Sequence, residues 1–176
     1  MVNIKFKKTH KDAVLPKANN TGYGVGDTGY DLTAVEPGEI YAGNSQVIPV
    51  GLTLAYISPG YWFRIEPRSG LGFKSSVQPH LGVIDNGYRG DLGVKLYNFH
   101  ETKPLRVSAG DRIAQIVVYP LIQPEMSFVD DITASDRGNK GFGSSDNKPI
   151  EHSGKKYIPN PMKIDEGDPD YIEWNE

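Results

Sequence analysis

Three glycine-rich stretches hold the side chains with chemistry to do. They are Pro67-Arg68-Ser69-Gly70-Leu71-Gly72, Gly82-Val83-Ile84-Asp85-Asn86-Gly87-Tyr88-Arg89-Gly90 and Arg137-Gly138-Asn139-Lys140-Gly141-Phe142-Gly143-Ser144. Glycine lets the backbone approach a ligand closely and present bare N–H groups. The groups left over are an arginine and a hydroxyl, then a carboxylate and a tyrosine, then an arginine, a phenylalanine and a hydroxyl. Arginine and serine donate to phosphate oxygens, and an aromatic ring stacks on a flat base. A carboxylate can take a proton from water. The kit suits a polyphosphate attached to a planar base, attacked by one activated water.

Each stretch also has a plainer reading. Arg68-Ser69-Gly70 would serve as a tight turn with a surface arginine. Asn86-Gly87 favours a two-residue turn with both central residues at positive φ, which would place Asp85 and Tyr88 on a hairpin. An ordinary hairpin leaves the tyrosine, the arginine and the further glycines unexplained. The third stretch alone would pass for a flexible linker. Two more segments belong with these. Thr28-Gly29-Tyr30-Asp31-Leu32 reads as a loop entering a strand, with Asp31 capping a turn. Gly110-Asp111-Arg112-Ile113-Ala114-Gln115 reads as a turn running into a core strand. Gln115 is the odd polar residue of that apolar run and needs a partner.

Taken in order, the five segments resemble the motifs of the trimeric dUTPase family, over roughly residues 4 to 145. The resemblance implies hydrolysis of dUTP to dUMP and pyrophosphate, with Asp85 as the general base that orients and deprotonates water. It implies that Arg68, Ser69 and the adjoining Gly70 backbone hold phosphates, and that Gln115 contacts phosphate. It implies that the backbone around Gly82 and Ile84 reads uracil while Tyr88 packs under the deoxyribose. Arg137, Phe142, Gly143 and Ser144 would form an arm over the nucleotide, the phenylalanine stacking on uracil. The implied cofactor is Mg2+ on the triphosphate, with Asp31 reaching it through water. The implied assembly is a homotrimer with active sites shared between subunits. One departure stands out: Phe73 to Leu81 lacks the asparagine that some members place near uracil, and Pro79 has no N–H to offer. The readers of the uracil edge are therefore sought near His80 to Gly82.

These residues need a scaffold, and the chain reads as all-β. Ile4-Lys5-Phe6-Lys7 and Tyr61-Trp62-Phe63-Arg64-Ile65-Glu66 alternate apolar with polar. Val47 to Tyr56 and Leu92 to Tyr97 are rich in strand formers. Arg112 to Tyr119 is nearly continuously apolar and reads as a buried central strand. Turn signals lie between: Glu36-Pro37-Gly38-Glu39, Ser58-Pro59-Gly60 and Ser108-Ala109-Gly110-Asp111. Helical periodicity is hard to find. The resemblance implies a jelly-roll-like β-barrel over residues 1–136, a glycine-rich active-site arm over 137–145 and a charged C-terminal extension over 146–176. That extension is poor in apolar residues. Tyr157, Ile158, Tyr171, Ile172 and Trp174 could dock it on the barrel, or it could stay loose; both readings stand.

Composition narrows the alternatives. The chain has 176 residues, no cysteine and four scattered histidines, which excludes disulfides and thiolate zinc sites and disfavours a histidine metal site. A formal net charge of −3 argues against a duplex nucleic-acid binder. No signal-like or membrane-spanning apolar run occurs, so a cytoplasmic setting, in a bacterium or a phage-infected cell, is expected. A dCTP deaminase is one rival. That related family has a catalytic glutamate on the strand after this turn, where Lys95 stands here. A regulatory scaffold acting through protein contact is the other, with the acidic, aromatic extension as its one supporting feature.

Overall fold

A computed structural model describes residues 1–18, 20–22, 25–133, 135 and 138. The strands are β1 (Ile4–Lys8), β2 (Asn20–Gly22), β3 (Val25–Gly26), β4 (Tyr30–Thr33), β5 (Gly38–Ile40), β6 (Ser45–Ile57), β7 (Tyr61–Glu66), β8 (Val77–Pro79), β9 (Gly82–Ile84), β10 (Asp91–Asn98), β11 (Leu105–Val107) and β12 (Arg112–Pro120). One short helix, α1 (Ser69–Ser75), lies between β7 and β8. One sheet runs β1-β6-β10-β8 and the other β4-β12-β7-β9, with two-stranded ribbons β11-β5 and β2-β3. All the pairings are antiparallel. This is the all-β, jelly-roll-like architecture expected.

Alternation builds the core. On β10, Leu92, Val94, Leu96 and Asn98 face in while Asp91, Lys95 and Tyr97 face out. Phe63 and Ile65 from β7 and Ile113, Ala114 and Ile116 from β12 join Ile48, Val50 and Leu54 from β6 in a single buried cluster. Phe6 of one sheet meets Phe63 of the other edge-on, with centroids 6.2 Å apart. The buried polar Asn98 is satisfied on both sides. It donates to the Ile40 and Lys103 carbonyls at 2.9 and 2.8 Å and accepts from the His100 N–H at 3.0 Å. β12 lies between β4 and β7 as expected of the apolar run. Among the described residues, no helix is long and apolar enough to cross a membrane.

Two local expectations are corrected. The turn expected at Ser69-Gly70 is the start of α1. This helix buries none of its residues, so it has no apolar stripe to announce it. It ends on Ser76 in the left-handed region, with φ 54°. The second correction concerns Asp85 to Gly90, which does not join two paired strands. β9 pairs with β7, whereas β10 pairs with β6 and β8, so the segment crosses from one sheet to the other. Neither Asn86 nor Gly87 has positive φ. Instead the Tyr88 N–H closes a turn on the Asp85 carbonyl at 3.0 Å. The reason is tertiary: the Asn86 amide donates to carbonyls of the β6–β7 connection, which overrides the local Asn-Gly preference.

The chain divides into two compact units, Met1–Met126 and Ser127–Glu176. All the named elements belong to the first. In the second, residues 127–133 have no regular structure and expose Phe128, Val129 and Ile132.

Candidate active site

The first constellation grows from three neighbouring strands. β12 pairs with β4 on one side and β7 on the other, and the register sets Gln115 opposite both Asp31 and Glu66. Beyond the end of β7 comes Pro67-Arg68. Arg68 Nε donates to Asp31 Oδ1 at 2.7 Å, and Arg68 Nη1 donates to the Arg112 carbonyl at 3.0 Å. Arg112 Nη1 donates to Asp31 Oδ2 at 3.2 Å. One carboxylate thus holds two guanidiniums, leaving a net positive cluster. The Asp31 and Arg68 side chains keep 20% and 26% of their exposure, and Arg112 keeps 56%. At its exposure the Arg112 pair adds little stability; together the two pairs aim two rigid forks of donors.

Gln115 finds its partner here. Its Nε2 donates to the Pro67 carbonyl at 2.8 Å, which ties the exit of β7 to β12. Gly29 makes room for it, since a Cβ at that position would stand 1.9 Å from Gln115 Oε1. Asp31, Arg68, Ser69, Gly70, Arg112 and Gln115 line one cavity of about 330 Å3. Asp27 also lines it, so its four charged side chains balance, while Glu66 lies outside the lining. Arg64 binds that carboxylate at 2.6 Å, and this hydrogen bond pushes the Arg64 guanidinium above its ordinary pKa. Tyr119 Oη donates to the same carboxylate oxygen at 3.2 Å.

The second constellation sits where β9 ends. Ile84 is buried against the core and Asp85, next in the chain, is exposed. Asp85 borders a separate cavity of about 570 Å3, walled by Tyr61, Trp62, Val83 and Pro120 to Ile122. Tyr88 folds back so that its hydroxyl donates to the Asp91 carbonyl at 2.9 Å. A Cβ at residue 90 would stand 2.6 Å from that hydroxyl oxygen, so Gly90 permits the fold-back. Asp91 in turn accepts from the Thr53 hydroxyl of β6.

The expected site residues therefore fall into groups. Asp31, Arg68, Ser69, Gly70 and Gln115 come together. Gly82, Ile84, Asp85 and Tyr88 line no part of that cavity within one chain. Arg137, Phe142, Gly143 and Ser144 lie outside the described residues. Arg112 was missed, although its signal was present: an arginine three residues before the polar exception Gln115. Lys95 is exposed on β10, its ammonium 5.4 Å from the centroid of the Tyr97 ring. Among the described residues, no group of three or more His, Cys, Asp or Glu is placed to hold a metal.

Comparison with known proteins places the chain in a family. The profile of the dUTPase family matches residues 18–146. The chain is 39% identical over 143 residues to "Deoxyuridine 5'-triphosphate nucleotidohydrolase" of Solanum lycopersicum, covering 81% of this chain and 80% of that protein. It is 39% identical over 146 residues to the protein of the same name from Gloeothece citriformis, covering 82% and 97%. Among solved structures, the Staphylococcus bacteriophage 80alpha dUTPase with dUPNHPP is similar at a TM-score of 0.72 and 29% identity, covering 81% of this chain and 98% of that one.

Proposed function

Because the chain belongs to the dUTPase family, we propose that it hydrolyses dUTP to dUMP and pyrophosphate. The observation that carries this reading is the donor-rich cavity in which Arg68 and Arg112 flank Asp31 beside Gln115, in a chain that also presents Asp85 on a separate turn. Water attacks the α-phosphorus, a new O–P bond forms, and the bond to the bridging oxygen breaks as pyrophosphate leaves. Asp85 takes the proton from that water. Arg68, Arg112, Ser69, the Gly70 backbone and Gln115 hold the phosphate oxygens and offset the charge on the leaving group. Tyr88 is a wall against a ribose 2′-hydroxyl, and the backbone near Gly82 and Ile84 reads uracil. Arg137, Phe142, Gly143 and Ser144 close over the nucleotide and exclude water.

The donor set suits a magnesium ion that arrives with the triphosphate. Both Asp31 oxygens already accept from arginines, so Asp31 would reach such an ion through water, not as a direct ligand. Bound there, the ion would neutralise and orient phosphate oxygens. The family resemblance implies a homotrimer, and the separation of Asp85 from the Arg68 cavity within one chain is compatible with sites shared between chains. A cyclic trimer lets one chain's turn face another chain's cavity three times over.

The test is pyrophosphate release from dUTP, dTTP, dCTP and UTP. Release strongly preferring dUTP supports the reading. Ammonia release from dCTP would replace it with deamination.

A further inference from the structure

We propose that Asn86 is the positioning residue of the general base: its side-chain amide fastens the Asp85 turn to the β6–β7 connection and thereby aims the Asp85 carboxylate. The proposal rests on the role given to Asp85 above.

The turn needs such a device. It lies on a crossing between two sheets, so no strand ladder joins its two ends. Asp85 itself is exposed. Asn86, one peptide further on, is half-buried. Its Nδ2 faces the Ser58 and Tyr61 carbonyls, each at 3.1 Å, and the Ile57 carbonyl at 3.4 Å. An amide nitrogen has two protons, which serve the two near acceptors and share with the third. The acceptors belong to a connection that is itself fixed. The Ser58 N–H donates to the Asn3 carbonyl at 2.9 Å, and the Asn3 N–H donates to Ser58 Oγ at 2.9 Å. The Leu121 N–H donates to the Gly60 carbonyl at 2.8 Å. The Asn86 backbone is held as well, since Arg89 Nη1 donates to its carbonyl at 2.9 Å and to the Tyr88 carbonyl at 2.6 Å.

Residue type decides who can do this. A carboxylate in the same place would face three carbonyl oxygens with no proton to give. A serine is shorter and has one donor. Without the amide, the three carbonyls lose their donor and the turn loses its anchor next to the reacting base. A displacement of about 1 Å at a reacting group can cost about a hundredfold in rate.

The experiment is steady-state kinetics of Asn86→Ala with dUTP, together with calorimetric binding of dUPNHPP. The expected kcat falls about 10- to 100-fold, while KM and the dissociation constant stay within about threefold. The same substitution is then made in Asp85→Asn, where it should cost nothing further, because there is no base left to aim. If Asn86→Ala does not assemble, Asn86→Ser, which keeps one donor, replaces it and should show an intermediate kcat. A kcat within about twofold of wild type overturns the proposal, as does a loss carried by binding. An equal further loss in the Asp85→Asn background also overturns it. Failure of the base assignment shows separately, as full turnover in Asp85→Asn alone.

Discussion

The cavity between Arg68 and Arg112 and the Asp85 turn are assembled by different means. The cavity is held by charge between side chains: Asp31 of β4 bridges Arg68 beyond β7 and Arg112 of β12. Its arginines, 26% and 56% exposed, would exchange Asp31 for phosphate oxygens under the proposed function. The turn is held by hydrogen bonds to backbone carbonyls, neutral ones from Asn86 and Tyr88 and charge-assisted ones from Arg89. Such bonds cannot be traded for a ligand. The difference matches the work proposed for each region. Phosphate binding needs donors that can be released, whereas proton abstraction needs a carboxylate that does not wander.

The comparison predicts different failures on the two sides. Asp85→Asn should fold and bind nucleotide but lose about two to four orders of magnitude in kcat, since the amide cannot take a proton. Retention of more than a tenth of the rate would remove Asp85 from the role. Arg68→Ala strikes the other side. It should raise KM for dUTP about 10- to 100-fold, the scale of hydrogen bonds to charged groups. A loss confined to kcat would show that the cavity acts on the chemical step alone. Gly29→Ala is a gentler probe, because its methyl would displace Gln115 from its present position. KM should rise about three- to tenfold, the scale of one neutral hydrogen bond. Unchanged kinetics would mean that Gln115 does not touch the substrate. Arg112→Lys keeps the charge but not the fork, and should change KM by only about two- to threefold, as expected where one exposed donor is lost. A larger loss would make Arg112 an equal of Arg68.

The two regions were also unequally legible in the sequence. The strands showed through alternation, and the polar exception Gln115 correctly implied a partner, the Pro67 carbonyl. Helix α1 did not show, because Ser69-Gly70-Leu71-Gly72 has no buried face to create a period. The Asn86-Gly87 signal was local and pointed to a hairpin. What overruled it were carbonyls at Ile57, Ser58 and Tyr61, at least 25 residues away in the chain. No pattern near Asn86 records those acceptors. Arg112 passed unnoticed because the strand pattern and Gln115 accounted for its segment. That one carboxylate serves both arginines depends on the register of β12 against β4.

The central claim is that the turn of one chain works with the cavity of another. Asp85→Asn and Arg68→Ala, each of low activity alone when dUTP is kept well below the wild-type KM, are denatured together in equal amounts, refolded, and assayed at that dUTP concentration for pyrophosphate release. Shared sites predict recovery to about a quarter of wild-type activity, because random mixing in a cyclic trimer pairs an intact turn with an intact cavity at about one site in four. Mixed trimers verified by mass that stay as inactive as their parents would contradict the claim and place both halves of the site within a single chain.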